Sequence, residues 1–335
     1  MKQIVILGGS GYVGSVIIKF FLDKKIKVIN LDNLIYGQNN NFSFSKNKNY
    51  KFIKYDLRNK KFNSEILKNA DAVVILASLV GDPISNKYKI ETKKINIEGT
   101  KKFIEKSIKY NVKKIIFVST CSNYGLIKNN LPAKENHKLN PLSPYAKSKV
   151  EIEKFLIKKN REKTKSKLFI LRFATAFGFS ERMRFDLTVN EFIKTIMQNK
   201  KLIIYDENTW RPYCHVSDFA KLIHIIFKSK IKKNFDILNV GENKNNATKL
   251  TILKKILKYL PYKNIEFKKI GKDKRNYIVN FSKIKKEYNF NCSINIEKGI
   301  KEIITNIKKD KKFFLDDKKK YKFGNYLIKK NKLSL

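Results

Sequence analysis

Cysteine and histidine are scarce in this chain, three of each among 335 residues. Cys121, Cys214 and Cys292 lie far apart and are odd in number. They give neither a disulfide framework nor a zinc spacing, and a reducing cytoplasm suits them. His137, His215 and His224 stand at no ligand spacing, which argues against a metal site. Long apolar runs are missing as well. The longest, Ala72–Val80, is far too short to cross a bilayer. The N-terminus passes straight into Gln3–Leu7, without the basic, apolar and small-residue zones of a signal peptide. These absences predict a cytoplasmic chain that neither crosses a membrane nor holds a metal.

Acidic residues are also few: 29 Asp and Glu face 74 Lys and Arg, a formal charge of +45. Such a charge suits nucleic acid or an anionic membrane. The lysines, however, are spread along the whole chain rather than gathered in a patch, and only seven of the basic residues are arginine. That dispersion reads as solvated helix faces, so neither nucleic acid nor membrane is expected as a partner. Where a chain that defaults to Lys keeps Arg, a planar bidentate donor is the expected reason. With 42% hydrophobic and 12% aromatic residues, the chain can bury a proper core.

The first half alternates two periodicities. Short β-rich runs at Lys2–Leu7, Ile26–Leu31, Tyr50–Tyr55, Ala72–Leu76, Lys114–Val118 and Leu168–Phe173 are separated by helical stretches, notably Tyr12–Leu22, Ile90–Tyr110 and Pro144–Lys158. This alternation predicts an α/β fold, a doubly wound parallel sheet with helices on both faces. Beyond Phe173 helices predominate, at Leu187–Gln198, Ser217–Lys228, Thr248–Tyr259 and Ile296–Lys308. We expect residues 1–173 to form a dinucleotide-binding domain and 174–308 a smaller substrate-binding lobe, with exchange of chain between them left open. Residues 309–335 form a Lys-rich tail, read as a peripheral helix or a partly disordered end.

The first strand ends in Gly8-Gly-Ser-Gly11-Tyr12-Val13-Gly14, and a helix follows at once. Glycine lets the backbone turn tightly and approach a pyrophosphate at the helix N-terminus. Asp32 ends the second strand, about twenty residues on, where a carboxylate accepts both ribose hydroxyls and repels an additional phosphate. NAD is therefore the expected cofactor. Tyr12, Val13 and Asn33 are counted with this site.

Further on, Tyr145 and Lys149 stand four apart and share a helix face. An ammonium beside a phenol is expected to lower the phenol's pKa, making Tyr145 a general base for a sugar hydroxyl, with Lys149 also holding the nicotinamide ribose. Ser119 and Thr120 end the fifth strand, the edge where open parallel sheets bind ligands. Thr120 can then bond the same oxygen as Tyr145. Among the arginines, Arg184, Arg211 and Arg275 are read as clamps on a diphosphate.

In this order Gly8/Gly11/Gly14, Asp32, Asp56-Leu57, Ala77-Ser78, Asn96-x-x-Gly99-Thr100, Ser119-Thr120, Tyr124-Gly125, Tyr145/Lys149 and Arg211-Pro-Tyr-x-His215-Val-x-Asp218 resemble the extended short-chain dehydrogenase/reductase family, in its nucleotide-sugar epimerase/dehydratase branch. The resemblance implies a Rossmann fold and a catalytic trio of Thr120, Tyr145 and Lys149. It implies contact of Asp56 and Leu57 with adenine, places Ala77, Ser78 and Asn96 at the cofactor wall, and sets Arg211 and Arg275 on the substrate's phosphates. Asn190 belongs to a segment that lines the nucleotide site, and Val80, Ser122 and Thr175 are counted with the substrate. A homodimer is implied too, through helices near Ile90–Tyr110 and Pro144–Lys158.

Dehydratases of this family carry Asp-Glu directly after the catalytic Thr, where this chain has Cys121-Ser122. Neither is a good acid or base, which disfavours water loss. Leu79-Val-Gly-Asp-Pro83 and Arg182-Met-Arg-Phe-Asp-Leu-Thr-Val-Asn190 resemble a sub-branch containing GDP-heptose 4-dehydrogenases and related epimerases. The expected activity is NAD-dependent oxidation of a ring hydroxyl, at C4, of a GDP- or UDP-linked sugar, as a 4-dehydrogenase. A 4-epimerase with a closed redox cycle is the alternative, since the same trio serves both. A redox-sensing NAD-binding protein without turnover is the alternative outside enzymes, opposed by the retained trio.

Overall fold

A computed structural model describes residues 2–38, 41–59, 63–127, 131–229, 233–269, 271, 275–318, 323–328 and 333. The first half runs β1 (Gln3–Leu7), α1 (Tyr12–Asp23), β2 (Lys27–Asp32), β3 (Tyr50–Lys54), β4 (Ala72–Ile75), α2 (Asp82–Lys87), α3 (Lys89–Thr92), α4 (Thr100–Lys109), β5 (Lys114–Thr120), α5 (Pro144–Arg161) and β6 (Lys167–Phe173). There follow β7 (Thr175–Phe177), α6 (Thr188–Met197), β8 (Leu202–Tyr205), β9 (Trp210–His215), α7 (Val216–Lys228), β10 (Phe235–Val240), β11 (Asn246–Thr248), α8 (Lys249–Leu257) and β12 (Ile265–Lys268). Helices α9 (Ser282–Tyr288), α10 (Ile296–Lys309) and α11 (Lys311–Leu315) complete the series.

Seven strands form one sheet in the order β10-β6-β5-β4-β1-β2-β3, every neighbour parallel. This is the doubly wound Rossmann sheet that the alternation predicts. Each central strand splits its side chains between two cores, as a period of two requires. Ile4, Ile6, Val74 and Ile116 pack on the face covered by α1 and α7. Val5, Leu7, Val73, Ile115 and Phe117 pack on the face with Phe103 and Ile104 of α4 and Ile152 and Leu156 of α5. A third core, built from α6, α8, α10 and β9, holds the smaller lobe together.

Three features depart from the sequence reading. The seventh strand is Phe235–Val240, so the sheet is completed by chain lying well past the boundary set at residue 173. The helix expected over Ile90–Tyr110 is broken by a π-helical turn at Lys93–Gly99. Gly99 is wedged so close to Leu57 that a Cβ would fall 2.6 Å from its carbonyl oxygen, and the wider turn aims Asn96 at the backbone of Leu79. The Lys-rich end, finally, is packed where it is described: Phe314 joins Phe323 and Phe185 in an aromatic cluster. Among the described residues no helix is long and apolar enough to cross a membrane.

One buried ion pair ties the centre together. Glu153 of α5 accepts from Arg172 of β6 at 2.7–3.1 Å, from Ser119 of β5 at 2.5 Å and from Asn123 at 2.8 Å. Breaking such a pair by removing one partner's charge strands the other in the core. Glu153→Gln is therefore expected to lower unfolding stability by about 3–5 kcal/mol in urea titration. A loss below about 1 kcal/mol would show that Arg172 finds relief elsewhere.

Candidate active site

The strand order turns back between β1 and β4, and a cavity of about 480 Å³ opens at the strands' C-terminal edge there. Its floor is the glycine loop. Gly8 has φ +88° and a Cβ on it would meet Ala77 N at 2.5 Å, while a Cβ on Gly14 would meet Gly8 O at 2.6 Å. Only glycine lets loop and helix close up this far. No side chain caps α1, so the N–H groups of its first turn are left to a ligand.

Asp32 is oriented by two backbone donors, Ser10 N at 2.9 Å and Leu34 N at 2.8 Å. Gly8, Gly11, Tyr12, Val13, Asp32, Asn33, Leu57, Ala77 and Ser78 all line the cavity, and the buried Ser78 hydroxyl has no hydrogen-bond partner among the described residues. A tight cradle, an oriented carboxylate and an idle hydroxyl fit a dinucleotide. Three expected contacts stand back from the wall. Asp56 is engaged by Arg58 and Asn33 at 2.8–3.0 Å. Asn96 clamps the loop at Leu79 through both its oxygen and its nitrogen. Asn190 donates to Tyr12 Oη and to Arg184 O, fixing the lobe against α1.

Thr120, Tyr145 and Lys149 meet at the end of β5 and line the same cavity. Ser143 caps α5 and Pro144 begins it, a helix start that sets Tyr145 in the first turn. The Tyr145 phenol hydrogen-bonds the Thr120 side chain. The expected pull of Lys149 on this phenol is not what the geometry gives. Lys149 Nζ donates to Val118 O at 2.9 Å and lies 5.7 Å from the Tyr145 ring centre. Burial raises the Tyr145 pKa well above its ordinary value, with the Arg184 charge and the Thr120 bond pulling the other way. Burial likewise brings Lys149 from 10.5 down to about 7, against the pull of Glu153. Lys149 thus sits where it can lose its proton near neutral pH.

Of the substrate-side residues, Val80, Ser122, Thr175, Arg184, Arg211 and Arg275 all line the cavity. Arg184 is forked onto Asp186 at 3.1 and 2.6 Å, and Arg275 reaches Asp82 at 2.9 Å across the cavity mouth. Arg211 lies over the Tyr277 ring and donates to the carbonyls of Trp210 and Arg275. Cys121 faces away: it is 1% exposed, bonds Arg172 O at 3.2 Å and has its thiol pKa pushed up by burial. Ser122 turns inward, 3.3 Å from Tyr277 Oη.

Sequence reasoning passed over Tyr36, Arg182, Asn325 and Tyr326, which also line the cavity. The scarcity of arginine singled out Arg182 as readily as Arg184, but no motif marks Tyr36 or the tail.

The chain matches the model of the NAD dependent epimerase/dehydratase family over residues 4–241. It belongs to that family. A dTDP-D-glucose 4,6-dehydratase of Dictyostelium discoideum is 31% identical, over 77% of this chain and 62% of its own length. A UDP-glucuronate 4-epimerase of Thermodesulfobacterium geofontis is 27% identical over 91% of this chain and 95% of its own. Among solved structures, the UDP-N-acetylglucosamine 4-epimerase of Methanobrevibacter ruminantium M1 superposes with TM-score 0.80 at 27% identity, covering 91% of this chain and 99% of that one. This family member is an NAD-dependent enzyme of nucleotide-sugar chemistry, of the extended short-chain dehydrogenase/reductase type.

The position of Lys149 has a measurable consequence. Its folded pKa lies below its unfolded value, so between about pH 7 and 10.5 the unfolded chain holds a proton that the folded chain has released. Stability from this group therefore rises with pH across that window, and the penalty of a buried charge is at full size below it. In Lys149→Met that slope disappears. The stability of the parent relative to the variant is expected to rise by roughly 2 kcal/mol from pH 7 to 9. Parallel curves would contradict the buried, half-titrated lysine.

Proposed function

We propose that the enzyme oxidises the C4 hydroxyl of a nucleoside-diphosphate sugar and returns hydride to the other face of the 4-keto sugar, as a 4-epimerase. The observation that carries this reading is the Thr120–Tyr145 pair at the end of β5, with Lys149 behind it and no acid–base pair beside it. Tyr145 takes the hydroxyl proton, Thr120 holds the oxygen as charge develops, the Arg184 charge favours the phenolate, and Lys149 orients the ribose of the cofactor. NAD, when bound, supplies the hydride acceptor. For the return half-reaction Tyr145 gives the proton back.

Dehydration would need an acid and a base next to Thr120. Cys121 is buried against Arg172 and Ser122 is a neutral hydroxyl. That leaves oxidation and reduction. The epimerase named above is matched over most of both chains, which supports a closed cycle over net dehydrogenation. Release of the 4-keto sugar, the 4-dehydrogenase outcome, is favoured by the likeness of Leu79–Pro83 and Arg182–Asn190 to GDP-heptose enzymes. The relatives act on UDP- and dTDP-sugars by name, which supports a pyrimidine nucleotide. On this reading Arg211 and Arg275 hold the diphosphate, with Arg184 lending its charge from its fork on Asp186. By the same reading residues 1–173 supply most of the cofactor site and 174–308 most of the sugar-nucleotide site. On this reading the enzyme works in the cytoplasm as a homodimer, paired through the side formed by α3, α4 and α5, where Ile90 of α3 is 68% exposed.

The test incubates purified enzyme with NAD and a panel of UDP-, dTDP-, CDP- and GDP-sugars, GDP-heptose included. Absorbance of reduced nicotinamide and the C4 configuration of the product are read together. C4 inversion of one sugar without net absorbance change is expected, falling at least about a hundredfold in Tyr145→Phe. Stoichiometric reduced nicotinamide would replace the epimerase by the dehydrogenase. A 6-deoxy product would overturn both.

A further inference from the structure

Arg182 lies on the segment joining β7 to α6, 3% exposed, in the wall of the cavity. Its Nη2 donates to Gly324 O at 3.2 Å and Asn325 Oδ1 at 3.0 Å. Its Nε and Nη1 are buried and have no hydrogen-bond partner among the described residues. Two other buried arginines differ. Arg172 is matched to Glu153 and Arg184 to Asp186, each through a forked ion pair. Asp186 is thus already taken, and Arg182 meets the Arg184 charge beside it. A buried guanidinium with idle donors and a like-charged neighbour is costly unless an anion completes it.

Four distant parts of the chain converge on this side chain. Its guanidinium lies 5.6 Å from the ring centre of Tyr36, in the loop after β2. Tyr36 Oη accepts from Val80 N at 3.4 Å, in the loop after β4. Asn325, in the tail, donates to Val80 O at 3.3 Å. The Arg182 amide donates to Ser180 Oγ, which donates in turn to Tyr12 O in the first turn of α1. The idle donors therefore sit between the loops after β2 and β4, the two strands that flank β1, and the segment is anchored to the helix whose N-terminus is open to an anion.

We propose that Arg182 binds the diphosphate of the dinucleotide opposite the glycine loop, and that Tyr36 and Asn325 hold its guanidinium for this role, slowing release of the cofactor during a turnover. Retention through a turnover rests on the closed redox cycle proposed above, which needs the reduced cofactor to stay bound until hydride returns to the sugar. The phosphate contact itself does not depend on which reaction follows.

Titration calorimetry of cofactor-free enzyme with NAD, ADP-ribose and UDP separates the sources of diphosphate. In Arg182→Gln, affinity for NAD and ADP-ribose is expected to fall at least tenfold, with UDP changed less than twofold. Because two unsatisfied donors are removed, the cofactor-free variant is expected to melt at or above the parent temperature, while the rise in melting temperature on adding NAD shrinks. Unchanged NAD affinity would overturn the proposal, and a larger loss for UDP would reassign Arg182 to the sugar nucleotide. Should Arg182→Gln fail to fold, Arg182→Lys and Asn325→Ala keep the question open to measurement. Each is expected to speed NAD release at least threefold, and parental release rates in both would overturn the account. None of these readouts requires turnover, so they stand apart from the C4 reaction.

Discussion

The buried carboxylate of Glu153 is the constraint on which the site depends. It stands one helical turn after Lys149 and is shared by the end of β5, the start of the following loop and β6. With Ser119 held from one side and α5 from the other, the register between strand and helix is set. Thr120, next to Ser119, and Tyr145, two turns before Glu153, are brought within a hydrogen bond of each other. A parallel sheet supplies an edge for chemistry, but it does not by itself say which helix residue faces which strand end. Here a charged network, costly to bury and more costly to break, supplies that information.

Burial then decides what each group near the sugar can do. It removes Cys121 from chemistry, raises Tyr145 and lowers Lys149. The phenol is therefore a base only when positive charge is brought near it, and Arg184 supplies part of that charge. The nicotinamide cation of a bound NAD would add to it. On the proposed mechanism proton removal would in this way be tied to the presence of the cofactor, which suits an enzyme that must not act on sugar hydroxyls without a hydride acceptor.

Much of this was legible in the residues. The short apolar, β-rich runs located all six strands of the first half, and the glycine run, Asp32, Thr120, Tyr145 and Lys149 fell around one cavity. What escaped reading had physical reasons. Phe235–Val240 follows α7, but no motif assigns it to the large sheet, so its place there follows only from tertiary packing. The π-helical turn depends on the contact of Gly99 with Leu57, forty-two residues away in sequence. Lysine-rich composition hid the tail, where Phe323 and Asn325 act singly rather than in a pattern. Charge was equally misleading between neighbours: Arg184 and Arg182 look alike in sequence, and only the fork onto Asp186 separates them.

The central claim is that hydride leaves C4 of the sugar while Tyr145 takes the proton, and that the same hydride returns. Turnover of a sugar nucleotide deuterated at C4 tests it most directly. The account requires a primary isotope effect on turnover, deuterium kept at C4 of the inverted product and no hydrogen taken up from solvent. Solvent-derived hydrogen at C4 or C5, or turnover indifferent to the label with the C4 bond intact, would contradict it.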